Sequence, residues 1–232
     1  MQSPLEHVVL FHVGPVPISE PVVVTWLIMA GLGLFAFLST RKLAILPSKT
    51  QTVLELFVTV LDDQIRETMR RDPAPFRPLI GTLLLFVLFA NWMSLIPGIE
   101  PPTAHIETDA ALALWVFVAT IAFGISGRGL RGYLDTFVEP SWVMMPLNLI
   151  EQITRTFSLI IRLFGNVMSG VFVVGIVLSL AGLFVPIPLM ALELLTGAVQ
   201  AYIFAILATV FIGAAAGEAS ERDPHTSKET RT

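Results

Sequence analysis

The sequence predicts an all-α integral membrane protein. It should have about five membrane-crossing helices plus an amphipathic helix on the membrane surface, with the last two crossings forming a long tilted hairpin. Three observations carry this prediction. Hydrophobic residues make up 54% of the 232 residues and charged ones only 14%, whereas a soluble domain carries about 25% charged residues. The mean hydropathy is +0.78. Apolar runs long enough to cross about 30 Å of hydrocarbon recur between prolyl and basic breaks. There are no cysteines, which excludes disulfides, thiolate metal ligands and a cysteine nucleophile. The net charge of -4 is too small to suggest a nucleic-acid partner.

In chain order, residues 1–20 read as an external N-terminal segment, polar and prolyl, with Glu6, His7, His12 and Glu20. It has neither Lys nor Arg and contains Pro4, Pro15 and Pro17, so it is not a signal peptide. Residues 21–40 form the first apolar crossing, ended by Arg41 and Lys42. Over residues 48–72, Val53, Leu56, Phe57, Val60, Leu61 and Ile65 recur at helical spacing among charged residues, the pattern of an amphipathic surface helix. Pro73, Pro75 and Pro78 break it. A second crossing runs over about 79–96 and a third over about 110–125, with an acidic, prolyl loop between them and Gly127-Arg128-Gly129 after them. Residues 79–217 together form the expected membrane domain, and 218–232 a polar tail.

The stretch from about 141 to 180 is apolar but interrupted by Asn148, Glu151, Gln152, Arg155, Arg162 and Asn166. Some 40 helical residues would measure about 60 Å, twice the hydrocarbon thickness. A steeply tilted helix is expected, paired antiparallel with the last apolar stretch after Pro186 and Pro188. Basic residues set the orientation. Seven of the fourteen lie between Arg41 and Arg77, and others follow the third crossing or lie in the tail. The lead-in, the 97–109 loop and the 181–188 turn have none. The expected topology is N-terminus outside, C-terminus in the cytoplasm.

Arg162 is the residue that most needs an explanation. A charge at bilayer depth costs about 2.5–3.5 kcal/mol even on the lenient insertion scale, so it should face protein or water. Asn148, Glu151, Arg155, Ser158, Asn166 and Ser169 share spacings of three, four or seven with it or with each other, giving one polar stripe. Glu193, Thr196 and Gln200 form the matching set on the last helix. The pattern is an outer polar group, a central fixed cation and an inner polar group. Arginine does not deprotonate in proteins, so it interrupts a proton path and attracts a carboxylate brought by a partner. Plainer readings stand beside this one. Ser158, Ser169 and Thr196 fit interhelical hydrogen bonds. Glu151 and Arg155 fit a surface ion pair. Glu193 fits a solvated interfacial carboxylate, and Arg162 a structural pair with Glu193 or Glu151. His7, His12 and His105 fit solvated loop histidines rather than metal ligands. No Ser-His-Asp, H-E-x-x-H or phosphate-loop pattern occurs.

The stretch Ser158-Leu-Ile-Ile-Arg-Leu-Phe-Gly-Asn166 closely resembles the signature of subunit a of F-type ATP synthases. Asn91-Trp92 with Pro97, Pro146-Leu-Asn-Leu-Ile-Glu151, Pro186-Ile-Pro188 and Gln200-Ala-Tyr-Ile-Phe204 also resemble segments of that family, whereas the first 75 or so residues match only in layout. The resemblance implies a non-catalytic, ion-translocating subunit in a bacterial inner membrane. The ion expected is the proton, with sodium the alternative. The implied partners are the c-subunit ring, the peripheral-stalk b subunits, the other ATP synthase subunits and the lipid bilayer; no cofactor is implied. Arg162 matches the essential arginine that faces the ring carboxylate, Asn166 its polar neighbour in the outer half-channel, and Gln200 the glutamine packed near the arginine. Arg155 falls at a usually basic position. Two departures are visible. Asn148 stands where many members have a carboxylate, and Glu151 one turn later is expected to take that role. Val171 stands at another carboxylate position, leaving Glu193 as the expected outer-channel carboxylate. Two other classes compete with this reading. A secondary transporter would use Arg162 as a substrate clamp, but no internal inverted repeat is evident. An intramembrane enzyme would need a nucleophile–base set, which is missing.

Overall fold

A computed structural model describes residues 9–13, 16–41, 49–96, 99–138, 145–182 and 184–217. The expected tail 218–232, with Arg222, Lys228 and Arg231, lies outside the described residues, as do Glu6, His7, Lys42 and Pro97. Six helices account for nearly everything described: α1 (Glu20–Thr40), α2 (Lys49–Met69), α3 (Arg77–Trp92), α4 (Ile106–Val138), α5 (Met145–Ala181) and α6 (Ile187–Ala216). Among the described residues, α1, α3, α4, α5 and α6 are long and apolar enough to cross a membrane. The chain is an integral membrane protein. Its lead-in adds an element that the prolines concealed. Strands β1 (Val9–Val13) and β2 (Val16–Ser19) pair antiparallel, with Val13 opposite Val16. Val9, Phe11 and Val13, and then Val16 and Ile18, recur at every second position, a β signal that the prolyl composition masked.

Proline fixes where helices begin. Pro21, Pro78 and Pro188 occupy first-turn positions of α1, α3 and α6, where the missing N–H costs nothing and the fixed φ already fits. The third crossing is longer than its sequence boundaries suggest. α4 starts at Ile106 and continues through a kink to Val138. The break sits at Gly129, with φ 75° and ψ 165°, a backbone conformation that side chains with a Cβ resist.

α6 is the hub and touches α2, α3, α4 and α5. Its buried face is built from small residues, Gly197, Ala201, Ala205, Ala208 and Ala216, with Phe204 and Ile212 among them. Small side chains let membrane helices approach closely and gain dispersion contacts. Val87 and Ala90 of α3, Ala113 and Val116 of α4, and Leu159 and Leu163 of α5 complete one core with Ala201, Phe204 and Ala208. A second core joins Leu61, Ile65 and Met69 of α2 to Ile80 and Ile212. The apolar face of α2 therefore has a protein partner along its C-terminal half. An ion pair of Asp62 with Arg77 and a 2.8 Å hydrogen bond from the Tyr202 hydroxyl to Gln64 fasten it further. Val53 and Leu56 on the N-terminal half, and Val60 near the middle, remain exposed.

The helix ends sort into two sets. At one end, Arg71 donates to the Ala216 carbonyl at 3.1 Å, and a Cβ on Gly127 would stand 2.9 Å from that same oxygen. At the other, Asn91 and Trp92 of α3 meet the first half of α6. Among the described residues, Arg71 and the Gly127–Arg128 segment therefore fall at the opposite end of the bundle from Thr103 and the α3–α4 connection.

Candidate functional site

α5 is one continuous helix of 37 residues, and only a narrow stripe of it is covered. Leu159, Leu163 and Val167, at spacings of four, are buried. Ile150, Ile153, Phe157, Ile161, Phe172, Val173 and Ile176 are exposed. Arg162 belongs to the uncovered side and is itself exposed. It has no ion pair or hydrogen bond among the described residues, so the structural pairing with Glu151 or Glu193 does not form.

On one side of Arg162 the polar stripe lines a groove of about 550 Å³ between α5 and α6. Glu151, Thr154, Arg155, Ser158 and Arg162 line it from α5, and Leu207 and Phe211 from α6. Glu151 pairs with Arg155 one turn on, the surface ion pair expected from the i,i+4 spacing. The Arg155 guanidinium also lies 5.4 Å from the centre of the Phe211 ring, which ties this end of α5 to α6. Asn148 is half-buried one turn before Glu151.

On the other side of Arg162, Glu193 fits into a notch on α5. A Cβ on Gly170 would lie 2.5 Å from Glu193 Oε1, so a larger residue there would push the carboxylate aside. That oxygen is buried without a partner among the described residues. Glu193 is therefore not the fully solvated carboxylate of the plainer reading. Ser94, whose hydroxyl donates to the Asn91 carbonyl at 2.8 Å, stands beside the carboxylate. Val171 next to the notch is exposed. Asn166 is half-buried between Arg162 and Gly170.

Gln200 is buried, at 7% exposure, and its Nε2 has no partner among the described residues. It makes no bond to Arg162. The two pairings Gly170 with Glu193 and Arg155 with Phe211 fix the antiparallel register of α5 and α6, and interpolation sets Arg162 opposite about Tyr202 at 1.5 Å per residue. Gln200 is thus near the level of Arg162 but faces the core. Ser169 and Thr196 correct another expectation. Their hydroxyls donate within their own helices, to the carbonyls of Asn166 at 2.9 Å and Glu193 at 3.1 Å, rather than across to a neighbour. Such i−3 bonds satisfy a hydroxyl locally, without a second helix.

α3 positions the Glu193 side. Asn91 is buried, donates from Nδ2 to the Gly197 carbonyl at 3.0 Å, and accepts from the Thr103 hydroxyl at 2.9 Å. The Trp92 indole donates to the Leu194 carbonyl at 3.2 Å. These bonds hold α6 within the Glu193–Gln200 segment itself. Sequence reasoning read Asn91 and Trp92 only as family segments, yet a buried amide in an apolar helix is itself a signal of an interhelical bond. It also passed over Gly170, whose role needs a partner from another helix to become visible.

The family model described as ATP synthase A chain matches residues 22–213. The chain belongs to that family. Among similar proteins, ATP synthase subunit a 2 of Bradyrhizobium sp. strain BTAi1 is 58% identical over 219 residues, covering 94% of this chain and 98% of the relative. ATP synthase subunit a of Albidiferax ferrireducens is 46% identical, with 90% and 92% covered. ATP synthase subunit a 2 of Acaryochloris marina is 42% identical, with 95% and 93% covered. As a member of the ATP synthase A chain family, this chain is a non-catalytic, ion-translocating subunit of the membrane sector. The catalytic sites lie in other subunits of the complex.

Proposed function

We propose that this chain provides two offset half-channels beside a rotating c-subunit ring in a bacterial inner membrane, and that the ion carried is the proton. The observation that carries the reading is Arg162: an exposed, unpaired cation on the uncovered apolar face of α5, between two polar regions that do not meet. An apolar surface of that kind needs a partner within the membrane, and a fixed cation selects one bearing a carboxylate.

Ions enter from outside past Glu193 and Asn166, bind the ring carboxylate, and leave after nearly a full turn through the groove of Glu151 and Asn148. Arg162 holds the arriving carboxylate ionised and closes the direct path between the two regions. Gln200 supports the passage at the level of Arg162. A leak past the cation would dissipate about 2.3 kcal/mol per charge and 100 mV. The Glu151–Arg155 pair fits the same scheme, because it holds a carboxylate in place at the exit. Single carboxylates spaced apart suit a proton that is handed on by acid–base exchange. The peripheral-stalk b subunits complete the stator, and the distribution of basic residues supports an external N-terminus and a cytoplasmic C-terminus.

The test is ATP-driven acidification of vesicles containing the complete complex, with and without sodium. We expect acidification that is indifferent to sodium and lost in Arg162→Ala, with assembly intact. Sodium uptake without acidification would keep the architecture and change the ion. Normal pumping by the alanine variant would refute the role of Arg162.

A further inference from the structure

Five buried side-chain nitrogen and oxygen atoms lack a partner among the described residues, and four of them belong to Asp109, Glu193 and Gln200. The proposed mechanism uses Glu193 and Gln200. It leaves out Asp109, whose two carboxylate oxygens are both unpartnered on a residue with 0% exposure. A carboxylate buried in a membrane helix without a partner calls for a functional explanation. The N-terminal dipole of α4 does not supply one. It favours a first-turn carboxylate, but it favours the exposed Glu107 equally and gives no reason for burial.

Asp109 has a defined place. With Ala113, Val116 and Thr120, at spacings of four, three and four, it forms the buried face of α4. Ala113 and Val116 pack in the same core as Ala201 and Phe204 of α6. α4 and α6 run parallel, and a Cβ on Gly124 would be 3.4 Å from the Ala215 Cβ. Counting back fifteen residues on each helix from this pair gives Asp109 on α4 and Gln200 on α6. The two unpartnered groups therefore stand at the same level, at the end of the bundle where Thr103 and Asn91 join the α3–α4 connection to α6.

That level matters because Glu193 is too far from Arg162 along the axis to hand a proton on in one step, so an acceptor is needed at the inner end of the half-channel. Glu193 and Gln200 are seven residues apart, about 10 Å along the axis, whereas one hydrogen-bonded step covers about 3 Å. We propose that Asp109 is a second ion-relaying carboxylate at the inner end of that half-channel, taking up the proton that reaches it from Glu193 through water and passing it on at the level of Arg162. Each transfer moves one proton: the Glu193 carboxyl gives one up, the Asp109 carboxylate takes one, and Asp109 releases it toward the ring carboxylate. This rests on the function proposed above.

The experiment compares Asp109→Asn, Asp109→Glu and Arg162→Ala in the complete complex in vesicles, with ATP-driven pumping expressed per assembled complex. Asp109→Asn should pump several-fold more slowly, Asp109→Glu should recover most of the rate, and Arg162→Ala should lose it. Wild-type pumping by Asp109→Asn beside an inactive Arg162→Ala would remove Asp109 from the path and leave the function standing. Active Arg162→Ala would instead bring down the function itself. Equal losses in the Asn and Glu variants, or a loss that only follows assembly, would make Asp109 structural and overturn the proposal.

Discussion

At Gly170 the space beside the backbone is taken by a neighbour's side chain. The Glu193 carboxylate fills the space a Cβ would need, so the position of one residue on α6 is set by the absence of a side chain on α5. Gly170→Ala should therefore displace Glu193 and slow ion entry, as Glu193→Gln is also expected to do, with the complex still assembled. Proton uptake in vesicles checks this, and an unchanged rate for Gly170→Ala would mean that the notch is only packing. Arg162, by contrast, was legible in the sequence, because charge in an apolar run announces itself without knowledge of any neighbour. Gln200 was half legible. Its level followed from helical rise, but which way it faced depended on how α6 packs. Asp109 was read as one more acid of a loop, because sequence spacing cannot tell the last residue of a loop from the first turn of a buried helix.

Among the elements, α3 does most to fix the site in place. Asn91 joins α6, through Gly197, to Thr103 with two hydrogen bonds, and a Cβ on Gly197 would lie 3.1 Å from the Asn91 Cβ. Removing the amide leaves a buried carbonyl and a hydroxyl without their partner, which costs about 1–3 kcal/mol. Asn91→Ala should lower the thermal stability of the solubilised complex, and a melting temperature equal to wild type would show that the bonds are replaced. Helix starts were legible through Pro21, Pro78 and Pro188, since proline acts on its own turn. The continuation of α4 beyond Gly129 was not. A glycine beside Arg128 looks like an end, and only the structure shows the helix resuming after the kink. The hairpin at the N-terminus was hidden for the same reason, since prolines suggest loop unless the pairing partner is known.

For the molecule as a whole, the alternation of basic and non-basic loops predicts an orientation, with the N-terminus outside. The absence of native cysteines makes the orientation testable without background. Glu100→Cys should react with an impermeant maleimide from outside, and Arg131→Cys only after the membrane is opened; the reverse pattern would invert the topology. The last consequence belongs to the length of α5. At about 55 Å it is longer than about 30 Å of hydrocarbon, so on the proposed reading it leans and its ends are displaced sideways. For a ring turning past it, sideways distance is angle, and angle is order in time. With Arg162 barring the short arc, the lean of one helix decides which way round is the long arc. On the proposed reading, a helix leaning the opposite way would turn the same gradient into rotation of the opposite hand.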